Sequence, residues 1–446
     1  MQAPSFNFNI KLGRRGGADV VGLDIQPGHV AAVQAHVNGA ITVKQAVGAP
    51  LPADIVREGE VLDEGVLAET LRELFKDGGL DRRVRLGVAN QRTVLRTLDL
   101  PPVDDRKEIE AAVRFQAQDQ VPMPLSNAVL DFHALGIVET PEGPRQRVVL
   151  VAAQRDMIQR LLAAVRDAGL RPEGIDLSAF ALIRSLYRPD PEHSGRVLYL
   201  NVDGLTNMAI AEGTLCRFTR VVGGGIEAMA SQLAERRSIP LVEARTLLAA
   251  VDLTVQPMPE PVAQTAVAEA EAELEPQIAI DPEAPTTIVD EVALDPEAIE
   301  SKEDQDASER AMSYSEMADV AQTPAESTSD TPPVASPVPS AATPVSVAQA
   351  PEADVRTVLE NGIREIAGEV RNSLDFHRSQ EGGGEVARVV LSGAALDLPG
   401  FAEALQEQLG IEVERESVRL DGQDLGGISA HRLAIAAGLA VEEAPR

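Results

Sequence analysis

Two distant stretches of the chain, VVGLDIQPGHVAAVQAHVNGAITV at residues 20–43 and RVLYLNVDGLTNMAIAEGTLCRFTRVV at 196–222, share one outline. In each, an apolar strand runs into a polar residue and a tight turn, a second strand follows, and a second turn leads to a third strand. The turns are Pro27-Gly28 and Asn38-Gly39 in the first copy, Asp203-Gly204 and Glu212-Gly213 in the second. A duplicated three-strand meander whose copies are separated by helices predicts an α/β protein of two related lobes facing each other across a cleft.

The remaining segments fit around those copies. VLAETLRELFKDGG reads as a helix with Leu67, Leu71 and Leu74 on one face and Gly78-Gly79 as its stop, and RVRLGVA reads as a strand. A compact α+β unit is expected over residues 99–178. In it, DDRKEIEAAVRFQAQDQ forms a helix with Ile109, Val113 and Phe115 near one side, NAVLDFHAL and RQRVVLVAAQ form strands, and RDMIQRLLAAVRDAGL forms a second helix. The first lobe is then expected to comprise 18–98 with 179–196, and the second 197–252 with 353–446. In the second lobe, VRTVLENGIREIAGEVRNSLDFHRSQ carries an apolar stripe of Val355, Leu359, Ile366, Val370 and Leu374.

The charge is unevenly placed. Of a formal −30 over 446 residues, residues 253–352 supply 21 acidic and two basic side chains, or −19. That stretch has 14 of the 30 prolines, no glycine and Tyr314 as its one aromatic. Such a composition cannot bury enough apolar surface to offset the entropy of ordering, so 253–352 is expected to be a disordered acidic insertion, and 1–17 a disordered N-terminus. The acidity removes the electrostatic case for nucleic acid. No stretch reaches the ~20 apolar residues of a membrane span, so no direct membrane insertion is expected. The single cysteine, Cys216, excludes an intramolecular disulfide and suits the cytoplasm.

Tight turns at the end of a first strand are where a two-lobed nucleotide binder sets backbone N–H groups against phosphates, with the preceding Asp holding a metal or its waters. Small residues are needed there because a side chain blocks close approach. Gly223–Gly225 precede a helix and serve equally as an anion-binding start or as a hinge, whereas Gly382–Gly384 read as a loop. The six histidines show no metal-ligand spacing, and no Ser/His/Asp arrangement is readable from order.

Five segments in order carry a family resemblance: RFQAQDQVPMPLSNAVLDFHALG, VVLVAAQRDMIQRLLAAVRDAGLRPEGIDLSAFAL, FTRVVGGG, EVRNSLDFHRSQ and LSGAALDLPG. They resemble the PilM family, actin-like cytoplasmic proteins of type IV pilus assembly. The resemblance implies a two-lobed actin-like ATPase (ribonuclease H-like) fold related to FtsA, with an SHS2-type insert at 99–178. It also implies ATP with Mg as a cofactor, self-association as an open question, and docking of the cytoplasmic tail of a PilN-like inner-membrane protein, so that the protein would be peripheral to the inner face of the plasma membrane. The positions implied for nucleotide are Asp24, Gln26, Gly28, Asn201, Asp203, Gly204, Gly393 and Ala394, with Asp24 toward the metal. Several depart from the family pattern: Gln26 stands at the close-approach Gly, Ala31 at the Lys, Asn201 near the second Asp, and Gly393-Ala394-Ala395 at a Gly-Gly-Gly. Weak or degenerate ATP binding is therefore expected, and no catalytic residue is assigned.

For the partner, the resemblance points to a groove between the first lobe and the insert, bounded by Arg114, Gln116 and Gln118 and by Val121, Met123 and Leu125. An extended peptide can dock there through main-chain hydrogen bonds. The competing reading is that Val121, Met123 and Leu125 pack the insert itself. An active ATPase or kinase, and an FtsA-like filament, are the alternative functions. The acidic end VEEAPR speaks against a membrane-tethering basic helix.

Overall fold

A computed structural model describes residues 20–103, 105–189, 195–255, 350–380, 382–421, 425 and 428–442. The expected disordered N-terminus lies outside these residues, as does most of the acidic insertion. At its borders, the Leu253 amide N–H donates a hydrogen bond to the Pro399 carbonyl of the second lobe, and a helix is under way at Ala350.

The first meander forms as expected: β1 (Val21–Gln26), β2 (His29–Asn38) and β3 (Ala40–Pro50) are antiparallel neighbours. A small hairpin, β4 (Val56–Arg57) and β5 (Glu60–Val61), leads to α1 (Glu64–Gly78). Asp63 caps α1 by accepting from the Val66 amide, and Gly79 ends it in the left-handed conformation. β6 (Arg83–Val88) then lies parallel to β1.

The insert is a three-stranded sheet with one helix. β7 (Val94–Leu100), α2 (Arg106–Gln120), β8 (Ala128–Thr140) and β9 (Gly143–Gln154) arrange with β9 between β7 and β8. Two expectations are corrected here. Phe115 does not share the buried side of α2: the stripe is Ile109, Val113 and Ala117, spaced by four, and Phe115 falls two positions off it and is 72% exposed. The boundaries also move. β7 enters the insert sheet at Val94, while α3 (Arg155–Asp167) and β10 (Arg171–Leu177) return to the first lobe. α3 does so because Met157, Ile158, Leu161, Leu162 and Val165 share one apolar core with Leu67 and Leu71 of α1, and β10 because it pairs in parallel with β6. α4 (Ser178–Leu186) comes next in the chain.

The second meander, β11 (Arg196–Val202), β12 (Thr206–Glu212) and β13 (Leu215–Val222), continues through α5 (Ile226–Arg237) and α6 (Leu241–Ala249) to α7 (Ala350–Ser379). Then come β14 (Val386–Ser392), α8 (Phe401–Leu409), β15 (Val413–Arg415), β16 (Arg419–Leu420) and α9 (Ala434–Leu439). The second sheet runs β13-β12-β11-β14-β15, and the first contains the matching run β3-β2-β1-β6-β10, with the same parallel and antiparallel steps. The duplication expected from the two meanders is thus present at the level of whole sheets.

The C-terminal stretch divides differently from the expected second-lobe boundary. β16 pairs with β3 of the first sheet, and α9 packs between the lobes, in a core shared with Ala31 and Val33 of β2, Leu182 of α4, and Tyr199 and Ala209 of the second sheet. Close approach makes this possible: a Cβ at Gly22 would run into the Ala436 carbonyl, and one at Gly438 into that of Ala181.

Candidate functional site

The duplicated topology brings the first turns of the two meanders face to face. Pro27-Gly28 and Asp203-Gly204 touch so closely that a Cβ on Gly204 would strike the Pro27 carbonyl, and one on Gly225 would strike the carbonyl of Asp203. Gly28, at φ +85°, lies beside the Glu227 carboxylate, which pairs with Arg245 through an Nε–Oε2 contact of 2.9 Å. Helix α5 starts directly behind the second turn, where the Ile226 amide donates to the Asp203 carbonyl at 2.8 Å.

The polar groups at these turns are largely committed to one another. Gln26 bridges the lobes: its Nε2 donates to Asp24 Oδ2 at 3.1 Å, and its Oε1 accepts from the Leu205 amide at 3.3 Å. Asp203 is gripped from the C-terminal segment by Arg432, Nη2 to Oδ1 at 2.8 Å and Nε to Oδ2 at 3.1 Å, while the Ala394 amide donates to Oδ2 at 3.3 Å. The Gly393 amide goes to the His431 carbonyl, and Asn201 Nδ2 donates to Ser392 Oγ. Asn201 Oδ1 and His29 are exceptions. For His29 the geometry is close but not aligned: its Nδ1 lies 3.3 Å from Asp203 Oδ1, yet neither ring nitrogen forms an aligned hydrogen bond with the described residues.

Burial sets the protonation states. It raises the Asp24 carboxyl to about 7, against the lowering influence of the Gln26 hydrogen bond, with Asp203 adding to the rise and Arg432 opposing it. Burial also lowers the His29 imidazole to about 4, so the ring is neutral at pH 7. Burial pushes Asp203 upward too, but His29, Arg432 and the bonds from Arg432 and the Ala394 amide outweigh it and hold the carboxyl below its usual range. At neutral pH Asp203 is therefore ionised, Asp24 about half-protonated and His29 neutral.

In front of the turns opens a cleft of about 750 Å³. Of the residues expected at a nucleotide site, Gly28, Asp203, Gly204 and Ala394 line it, while Asp24, Gln26 and Asn201 are buried. Gly393, at φ +95°, turns the backbone behind Ala394, against the Val202 carbonyl. His29, Glu227, Arg245 and Arg432 also line the cleft and carried no sequence signal as a group, since Arg432 and Asp203 lie 229 positions apart. Among the described residues no three His, Cys, Asp or Glu side chains gather to hold a metal ion, and the Asp24 carboxylate faces Gln26. Ala31, at the family's lysine position, is fully buried opposite Asp24 in the β1–β2 register.

The residues expected at a peptide groove fall into two sets. Val121 is buried in the insert core with Ile109, Val113 and Leu150, and Met123 and Leu125 pack half-buried against it. These three hold the insert together. Arg114 and Gln118 are exposed on the outer side of α2 with Phe115, Arg114 paired to Glu110, and Gln116 is half-buried.

Two sheets that share a five-strand run of the same order and direction, joined by helices packed between them and separated by a cleft at their first turns, define the two-lobed actin-like fold. Residues 22–195 match the family of type IV pilus assembly protein PilM. Among solved structures the chain is similar to the PilM-PilN type IV pilus biogenesis complex, at 19% identity over 95% of this chain and 98% of that chain, with a TM-score of 0.62. It is also similar to ethanolamine utilization protein EutJ from Carboxydothermus hydrogenoformans, at 13% identity over 96% and 90% of the two chains, with a TM-score of 0.44. The PilM resemblance carried by the motifs is borne out by this family match and by the shared fold. No helix among the described residues is long and apolar enough to cross a membrane.

Proposed function

We propose that this chain is a cytoplasmic adaptor of a type IV pilus or related secretion machine, held at the inner face of the plasma membrane by the cytoplasmic tail of a PilN-like protein. The PilM family match over residues 22–195, together with the fold shared with a PilM-PilN complex, supports the partner class. The observation that favours an adaptor over an ATPase is Arg432 seated on Asp203 while Gln26 takes the Leu205 amide. Asp203 is one of the positions the resemblance implies for nucleotide, and the Leu205 amide belongs to the same turn, so both groups are taken where phosphate and metal would be met. Asp24 is likewise buried, and its Oδ2 is already taken by the Gln26 side-chain amide. The residues present do not fit ATP with Mg²⁺, and no step is assigned to it.

The docking face we assign is the rim of α2 that carries Arg114, Phe115 and Gln118, with Gln116, Val121, Met123 and Leu125 supporting it from the insert core. A large apolar side chain flanked by polar ones is the usual make-up of a binding anchor. Arg114→Glu with Phe115→Glu is expected to weaken binding of a PilN-like tail peptide about tenfold or more at an unchanged melting temperature. Met123→Glu should instead lower the melting temperature. Normal peptide binding by the double variant in a fluorescence-anisotropy titration would move the site elsewhere. No binding of any inner-membrane pilus tail by the wild type would defeat the adaptor reading.

Phosphate release from ATP is expected to stay at the buffer background, with or without the tail peptide, in a coupled assay. Turnover that disappears in Asp24→Ala would restore the ATPase reading.

A further inference from the structure

The insert leaves one strand edge open. β8 is the outer strand of β7-β9-β8, and along its 13 residues the second edge meets no strand among the described residues. The cover that α2 gives the sheet also stops short of β8. Under α2, Val94, Leu98 and Leu100 of β7 and Val148, Leu150 and Ala152 of β9 are buried, whereas Leu130 and Phe132 of β8 are half-buried, with the Arg106 guanidinium 5.8 Å from the centre of the Phe132 ring. The register puts Ala134 and Ile137 on the same face, opposite Val148 and Gln146, and both are exposed, Ile137 at 54%. Leu130, Phe132, Ala134 and Ile137 thus form an apolar shelf beside backbone N–H and C=O groups that β9 does not use. A long apolar edge of this kind is a template for one more strand.

The chain carries a segment of matching pattern. Residues 5–12, which lie outside the described residues, read SFNFNIKL: Phe6, Phe8, Ile10 and Leu12 alternate with Asn7, Asn9 and Lys11, the period of a strand with one apolar face. Laid parallel to β8, the four apolar residues fall opposite Leu130, Phe132, Ala134 and Ile137 in turn, and the bulge between Ala134 and Gly136 absorbs the extra residue on β8. The bulky Ile10 then meets the small Ala134. Charge selects the same direction. Lys11, Arg14 and Arg15 come with no acidic residue before Asp19, and in the parallel register Arg14 and Arg15 run on past Ile137 to the exposed Glu139. Reversed, they arrive at the root of β8, where Arg155 already donates to the Ala128 carbonyl at 2.6 Å.

Reach decides which chain supplies the segment. Helix α3, 13 residues and so ~20 Å long, leads from the root of β8, where Ala128 pairs with Gln154, back toward the start of β10, which is level with the start of β1. Ile137 lies ~30 Å further along β8. The tether from Leu12 to Val20 spans ~29 Å at full stretch, short of the two distances together.

We infer that residues 5–12 of one copy add as a parallel strand to the open edge of β8 in a second copy, with Phe6, Phe8, Ile10 and Leu12 on the shelf. Donor and acceptor are different surfaces of the chain, so each can be disabled alone. The contact makes no use of Arg114, Phe115 or Gln118 and is independent of the adaptor reading.

The test is sedimentation of the full-length protein over a range of concentrations, where the wild type is expected to associate reversibly. Phe6→Asp with Phe8→Asp, which disables the donor, and Ile137→Glu, at an exposed acceptor position, should each raise the dissociation constant about tenfold or more at an unchanged melting temperature. Mixed together, the donor and acceptor variants should form a 1:1 complex, since each keeps the surface that the other lacks. Asn9→Cys in one chain and His133→Cys in another, neighbours in the parallel register, should form an intermolecular disulfide on mild oxidation, Cys216 being buried. A wild type that is monomeric at every concentration, variants that associate like the wild type, a mixture that stays monomeric, or a cross-link that forms only within one doubly substituted chain would each overturn the inference. Tail-peptide binding measured on the same preparation reports separately on the adaptor.

Discussion

Replacing Arg432 by alanine is expected to cost about 3 kcal/mol of unfolding free energy at pH 8, the lower end of the range for removing one partner of a buried ion pair. Asp203 keeps almost no contact with water, its side chain being 4% exposed, so the carboxylate left behind cannot be rehydrated without opening the turn. Arg432 itself is 31% exposed, which places the loss at the low end of that range. The deficit should shrink toward pH 6. His29 sits 3.3 Å from the same carboxylate, and its imidazole is held down by burial and, in smaller part, by the Arg432 charge. Without that charge the ring takes a proton more readily and stands in for the lost guanidinium. Asp203→Asn in the Arg432→Ala background should recover much of the stability, because it removes the orphaned charge. Urea unfolding at the two pH values measures all three effects. A single variant within about 1 kcal/mol of wild type at pH 8 would mean that the pair is ordinary surface chemistry.

The strands, turns and α1 were legible because their signals are local. Pro27-Gly28 and Asp203-Gly204 are turns on the strength of neighbouring residues, and two copies of one meander imply two lobes without any distant contact. What could not be read was where the chain comes back to. α3 looks like part of the insert in sequence, yet Leu161 and Leu162 are buried against α1 of the first lobe. SAHRLAIAAGLAV looks like the last helix of the second lobe, yet Gly438 and Ala436 let it slip between both. The same limit governs the site. Gln26 was legible as a departure from a close-approach glycine, but its role as a bridge depends on Leu205, and Asp203 gave no hint that an arginine from the far end of the chain would occupy it. Phe115 was misplaced for a simpler reason: apolar character outweighed its poor phase with Ile109, Val113 and Ala117.

Asp24→Asn is expected to stabilise the protein at pH 8 and to do nothing at pH 4. The folded-state carboxyl titrates at about 7 and the unfolded one near 3.8, so between those values the folded protein retains a proton that the unfolded chain has released. Stability from this group is complete below the unfolded value and is lost as the pH rises toward and through 7, by about 1.4 kcal/mol per unit and about 4 kcal/mol in all. His29 works in the opposite sense: held to about 4 when folded and free to titrate at 6.5 when unfolded, it favours folding above 6.5 and loses that contribution as the pH falls through 4. Between about 4 and 6.5 the two slopes oppose each other, and the wild-type contribution of this site should be nearly flat. An amide at position 24 removes one slope and leaves the other. Its Oδ1 can still accept from Gln26 Nε2, so the bridge to Leu205 need not break. The variant should therefore show unfolding midpoints that climb with pH from about 4 to 6.5, where the wild type's do not, and that exceed the wild type most above pH 7. A variant less stable than wild type at pH 8, or a pH profile parallel to it, would mean that Asp24 is ionised in the folded protein and stabilised by a partner other than Gln26.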